Sequence, residues 1–163
     1  MKITALEEYG LRCMLQFAIS DNGKPLTLPE VSTKEGLSIP YTGKLLMILK
    51  QAGLLKAMRG RNGGYVLARP ATEMMLGEIF RVLGDRFYGP HHCRRYSGNS
   101  DACVHDQDCT VRNIWNTFDR FISGILNKVT LADLAAGNLN FVGALNPILD
   151  TRLPDRTIRG NRS

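Results

Sequence analysis

No run of eighteen apolar residues occurs in the 163 positions, so no segment is suited to cross a membrane as a helix. Met1 to Ser20 also lacks the basic-then-apolar order of a secretion signal, because Glu7, Glu8 and Arg12 interrupt it. The expectation is a cytoplasmic protein with no membrane partner. No internal repeat is present, and neither a glycine-rich nucleotide loop nor a strand–helix alternation that would build a substrate pocket accompanies the cysteines. An enzyme using Cys93, Cys103 or Cys109 as nucleophile, activated by His92 or His105, therefore lacks its supporting parts. No small-molecule substrate is expected.

With 44% apolar residues, a chain of this length can bury one core but not two large ones. Its net charge of +6 is uneven. Residues 1 to 69 carry ten Lys/Arg against five Asp/Glu, and residues 70 to 163 carry eleven against ten. A positive bias confined to one half suits a polyanion such as DNA, whose condensed counterions are released when phosphates are neutralised.

Thr4 followed by Glu7 has the form of a capping box, and Leu6, Cys13, Met14 and Phe17 then share one face of a helix from Thr4 to Ser20. Asp21 to Pro25 is turn chemistry. A second helix is expected from Thr27 to Gly36, with Pro29 in its first turn. Ser38 caps a third, Ile39 to Gln51, with Leu45, Ile48, Leu49 and Ala52 inward and Pro40, Lys44, Met47 and Gln51 on the opposite face. Helix, short glycine turn and helix make a helix-turn-helix. Leu54 to Arg59 and Tyr65 to Arg69 flank Gly60-Arg61-Asn62-Gly63-Gly64 as a hairpin, a wing with Arg59 and Arg61 near its tip.

Leu76, Ile79, Phe80 and Leu83 mark a fourth helix ending at Gly84. The stretch from Asp85 to Asp108 has no periodicity and holds every histidine and two of three clustered cysteines. Cys93, Cys103 and Cys109 fall within seventeen residues, and in a reducing compartment such clustering favours metal or redox chemistry over disulfides. From Val111, a stripe of Ile114, Trp115, Phe118, Phe121, Ile122, Ile125, Leu126 and Val129 forms a helix that wants a partner, either its own chain or a symmetry mate. Thr130 to Leu134 starts a short final helix. Cys13, on the apolar face of the first helix, reads as a small core residue.

The fold class is thus mainly α with a small β-hairpin, a winged helix-turn-helix followed by a long C-terminal dimerisation helix. Four regions are expected: a DNA-binding domain at 1–84, a cysteine loop at 85–110, the dimerisation and short helices at 111–134, and a partly disordered tail at 135–163. A protein-binding winged-helix adaptor would share this fold, but the basic residues on the third helix and wing favour double-stranded DNA.

Several segments together resemble the Rrf2 family of winged-helix regulators. They are Met1-Lys2-Ile3-Thr4 with Glu8-Tyr9 and Leu11-Arg12, then Ser38, Tyr41 and Lys44-Leu45-Leu46. Arg59-Gly60, Gly63-Gly64-Tyr65 and Leu67-Ala68-Arg69-Pro70 follow, with Thr130 to Leu134 at the end. The likeness spans residues 1 to 134. It implies a homodimeric repressor on a partly palindromic operator, with Ser38, Pro40, Tyr41, Lys44 and Arg59 as DNA contacts. Thr42 departs from the family's buried aliphatic residue, and Gly43 lacks the acid that the family's iron–sulfur cluster regulator uses to discriminate bases.

The same likeness places Cys93, Cys103 and Cys109 where cluster-holding members keep their ligands, and implies an iron-sulfur cluster of the 2Fe-2S or 4Fe-4S type sensing redox state, nitric oxide or cluster supply. Soft thiolates in a loop suit such a centre. The first gap, nine residues between Cys93 and Cys103, is longer than in those members. Arg112 occupies the place of a histidine ligand, so the fourth donor is expected to be Glu8, reaching across the dimer as an acid does in the nitric-oxide-sensitive members. His105 is the alternative, with Asp108 behind it. His91 and His92 read as solvent-facing loop residues. Thiol redox sensing without a cluster and a zinc site remain the other readings of the same cysteines.

Overall fold

The computed structural model describes residues 3–20, 24–60, 63–84, 88–89, 93, 96–97, 103–105 and 109–138. Helix α1 runs over Ala5–Ile19, α2 over Leu28–Glu35 and α3 over Ile39–Gln51. A hairpin of β1 (Leu55–Met58) and β2 (Gly64–Leu67) follows, then a 3-10 turn at Ala71–Glu73. Helix α4 spans Leu76–Leu83, α5 Thr110–Leu126 and α6 Leu131–Ala135. The expected helices and hairpin are present, in the expected order.

Each start has a local cause. The Thr4–Glu7, Thr27–Glu30 and Thr130–Asp133 pairs are reciprocal capping boxes, with the threonine oxygen accepting from the N3 backbone and the acid accepting from the threonine backbone. Helix α2 stops at Gly36, where φ is +65° in the left-handed region and the chain turns into α3. Backbone and side-chain bonds from Thr27 and Thr130 hold the Glu30 and Asp133 carboxyls below their ordinary range. A depressed carboxyl stabilises the fold above its unfolded value and loses that contribution as pH falls through the folded one. Thr27→Ala and Thr130→Ala should each lower stability by about 1 kcal/mol in urea melts at neutral pH, with the difference from wild type shrinking below about pH 4.

The core is built where α1, α2, α3 and α4 meet. Cys13, Met14, Val31, Leu45, Leu46, Leu49, Leu54, Met74, Ile79 and Leu131 are each fully excluded from solvent. The inward stripe of α3 is Thr42, Leu45, Leu46 and Leu49, so the expected Ile48 and Ala52 do not belong to it: Ile48 is half-buried and Ala52 exposed. Thr42 takes a core position because its hydroxyl donates to the Ser38 carbonyl at 3.0 Å, which removes the cost of burying it.

The hairpin pairs Leu55 with Leu67 and Met58 with Gly64 in antiparallel register. Leu26, in the segment before α2, bridges to Tyr65 and ties the wing to the helical unit. Gly64 passes so close to this segment that a Cβ would lie 2.6 Å from the Leu26 carbonyl oxygen. Among the described residues, no helix is long and apolar enough to cross a membrane.

Candidate DNA interface and cysteine site

Ser38, Pro40 and Lys44 are exposed on the first two turns of α3, and Tyr41 is half-buried beside them. Ser38 caps the helix through its Oγ, which accepts from the Tyr41 amide at 3.4 Å. No acid stands in the first turn of α3, whereas the capping boxes put one at the start of α1, α2 and α6. The positive pole of α3 is therefore not neutralised by its own side chains. Arg59, at the end of the first wing strand, is exposed. Arg61 lies outside the described residues.

Two contacts fix Tyr41 and α3 from behind. The Tyr9 and Tyr41 rings meet edge to face, with centroids 6.0 Å apart and planes at 90°. The Arg12 guanidinium lies 5.4 Å from the Tyr9 ring centre. Arg12 also donates through Nε to the Glu35 carboxylate at 2.7 Å and through a terminal nitrogen to the Glu35 carbonyl at 3.2 Å, and Gln16 donates to the other carboxylate oxygen at 2.6 Å. The Glu35 side chain is 4% exposed, so this buried acid holds the end of α2 onto α1. Sequence reading passed over Tyr9 and this trio as site-shaping residues, because Arg12 and Glu35 lie 23 positions apart with no local pattern joining them.

All four cysteines are free thiols. Cys13 is fully buried, and burial pushes its thiol up to about 12, which fits an inert core residue and no ligand. Cys93, Cys103 and Cys109 are half-buried. Cys109 is the N-cap of α5, its Sγ accepting from the Arg112 amide at 3.3 Å. The Cys93 Sγ lies 3.2 Å from the Tyr88 hydroxyl, and the Tyr88 amide donates to the buried Asp119 carboxylate of α5 at 3.2 Å. The Cys93 contact pushes the Tyr88 hydroxyl above its ordinary range, with burial adding to the effect and Arg112 opposing it.

Glu8 is exposed on α1 and His105 is exposed in the loop. Asp108, His91 and His92 fall outside the described residues. Among the described residues of one chain, no three His, Cys, Asp or Glu side chains converge as a metal-holding group. The donor chemistry fits an iron–sulfur cluster, since three thiols flank and fill one loop, but a single chain does not gather them. Tyr88 and Asp119 went unseen in the sequence because they lie 31 positions apart, one in an aperiodic stretch and the other on the polar side of a helix.

On α5, Val111, Ile114, Trp115 and Phe118 are 61%, 48%, 38% and 45% exposed, while Ile125 and Leu126 pack on the core. The apolar stripe is thus divided into a covered C-terminal end and an uncovered N-terminal end beside the cysteines.

The model of the Rrf2 family, described as an iron-dependent transcriptional regulator, matches residues 3–137. The chain is 30% identical over 160 residues to the HTH-type transcriptional regulator IscR of Serratia proteamaculans, covering 98% of this chain and 93% of that protein. It is 30% identical over 134 residues to Protein rrf2 of Nitratidesulfovibrio vulgaris, covering 82% and 87%. Among solved structures, T. potens IscR superposes with a TM-score of 0.68 at 28% identity, covering 85% of this chain and 88% of that one. CymR, the global cysteine regulator of B. subtilis, superposes at 0.69 and 29% identity, covering 84% and 98%.

Proposed function

Because this chain belongs to the Rrf2 family of transcriptional regulators, we propose that it is a dimeric, operator-specific repressor working in the cytoplasm, whose grip on DNA is set by the cysteine site beside α5. DNA-binding transcription regulation is the family's activity, and its named relatives are regulators and not enzymes. The observation that carries the DNA-binding part is the exposed, acid-free start of α3, with Arg59 likewise exposed at the wing. Ser38, Pro40, Tyr41 and Lys44 would enter the major groove while Arg59 and Arg61 follow the neighbouring backbone.

The uncovered end of α5 supports dimerisation. Apolar side chains this exposed along a helix mark a contact surface, and two copies of one stripe pair naturally about a twofold axis. Such a dimer presents two copies of α3 to two half-sites.

Cys93, Cys103 and Cys109 would hold an iron–sulfur cluster with Glu8 of the second subunit, or His105, as fourth donor. The name IscR carried by several relatives supports this reading. When bound, the cluster would supply a redox couple and iron–sulfur bonds that can be lost. The chain's own part is to position its donors. Cys109 is fixed by the first turn of α5, Cys93 contacts the Tyr88 hydroxyl, and the Tyr88 amide is anchored to Asp119 of the same helix. Glu8 is followed in α1 by Tyr9, which packs on Tyr41 of α3. A change at the cysteine site that moves α1 would thus reach a DNA-contacting helix through one side-chain contact.

The half-buried free thiols of Cys93, Cys103 and Cys109 also suit a cluster-free thiol switch, and one solved relative is an oxidised form of Staphylococcus aureus CymR. Iron and acid-labile sulfide, measured with visible absorption after anaerobic purification, separate the two. The cluster reading expects a coloured protein with matching iron and sulfide, lost in Cys109→Ala. A colourless protein free of both would overturn it in favour of the thiols alone.

A further inference from the structure

Gly43 lies half-buried on the flank of α3 that meets Leu28, about one turn from Ile39 and Pro40 and about one turn from Met47. A glycine inside a helix is less stable there than alanine, so its presence calls for a physical reason. Backbone geometry supplies none, since Gly43 is not among the residues with positive φ. Packing supplies none either, because a Cβ at this position would meet only Leu28 side-chain carbons at 3.7 and 3.9 Å, an ordinary contact. The missing side chain instead leaves a gap in the row formed by Ile39 and Met47, which stand four positions to either side of Gly43 on α3.

The residues around that gap are unusual for a DNA-reading face. Ile39 and Met47 are 52% and 50% exposed, Pro40 is exposed, and Lys44 stands between them. From Ser38 to Met47 there is no Asp, Glu, Asn, Gln or Arg, so the side chains that usually make paired hydrogen bonds to bases are absent here. Hydrogen bonding is limited to Ser38, Tyr41, Lys44 and the already engaged Thr42. The apolar group that the major groove offers is the C5 methyl of thymine.

We propose that Gly43 allows α3 to seat close against the base edges, and that Ile39, Pro40 and Met47 read thymine methyl groups around it, so each half-site carries thymines beneath the first two turns of α3. This deepens the DNA-binding reading above and rests on it. Lys44 adds a hydrogen-bonding cation to a surface otherwise selective by shape and methyl contact.

The test uses the full chain and duplexes that it selects from a randomised library, resynthesised with deoxyuridine in place of thymidine in the half-sites. Uracil keeps the pairing edge and loses only the methyl. Selected sites should be thymine-rich, each buried methyl removed should weaken binding about fourfold, and Ile39→Ala with Met47→Ala should blunt that penalty. Gly43→Ala should melt at a higher temperature than wild type yet bind the same duplex about tenfold more weakly, the scale of forcing a methyl into a packed contact. Selection without thymine, equal affinity for the two duplexes, or undiminished affinity of Gly43→Ala would overturn the inference while leaving DNA binding intact. Failure to select any sequence would overturn the DNA-binding reading and this inference with it.

Discussion

The double substitution Lys44→Ala with Arg59→Ala should lower operator affinity by about 30-fold to 25,000-fold, taking roughly 1–3 kcal/mol for each cationic contact to the groove or backbone. Both side chains are exposed and neither belongs to the core, so the melting temperature should stay near that of wild type. Removing cations that neutralise phosphates should also flatten the dependence of binding on salt by about one unit of slope each. Fluorescence anisotropy at several salt concentrations measures both quantities. Unchanged affinity in a folded double variant would mean that α3 and the wing do not face DNA.

A second large effect concerns two neighbours in α3. Leu46 is fully buried and Met47 is half exposed. Leu46→Ala should cost about 2–5 kcal/mol through lost transfer energy and the cavity left between α3 and the rest of the core. For a small domain with a total stability of about 5–15 kcal/mol, that is enough to leave it partly unfolded in mild denaturant. Met47→Ala should change stability by no more than about 0.5 kcal/mol. Urea unfolding followed by circular dichroism distinguishes them, and similar midpoints for both variants would show the inward face of α3 to be wrongly placed.

That face is also where the sequence was least straightforward. The bounds of α3 were legible because Ser38, Pro40 and Gly53 mark its ends, yet its inward stripe was read rotated by part of a turn. Thr42 stands outside the expected inward set of Leu45, Ile48, Leu49 and Ala52, yet it is buried with its hydroxyl satisfied by the preceding turn. Counting it as apolar gives Thr42, Leu45, Leu46 and Leu49, a regular set of helical neighbours. Capping boxes, the Gly36 turn and the hairpin register depend on residues three to twelve positions apart, and these were readable. The Arg12–Glu35 pair, the Tyr9–Tyr41 contact and the Tyr88–Asp119 bond join distant segments that no local pattern connects. The cysteine spacing suggests the chemistry of a site but does not show that Cys93 contacts Tyr88 or that Cys109 caps α5 through the Arg112 amide.

Under the proposed role of Glu8 as a donor from the second subunit, the next residue, Tyr9, packed on Tyr41 of α3, would give the cysteine site a physical route to DNA. Tyr9→Leu should keep the fold while loosening Tyr41, so the binding difference between the two states of the cysteine site should narrow. Comparing both states of this variant with wild type on one duplex checks that route, and an undiminished difference would place the coupling elsewhere.

The most direct measurement is an anaerobic anisotropy titration of the purified protein on one selected duplex, repeated after treatment that strips iron and sulfide. The account predicts two distinct affinities for the wild-type protein and a single affinity, insensitive to the treatment, for the variant with Cys93, Cys103 and Cys109 replaced by alanine. Identical wild-type affinities before and after removal would contradict it, leaving a DNA-binding protein whose grip does not depend on its cysteines.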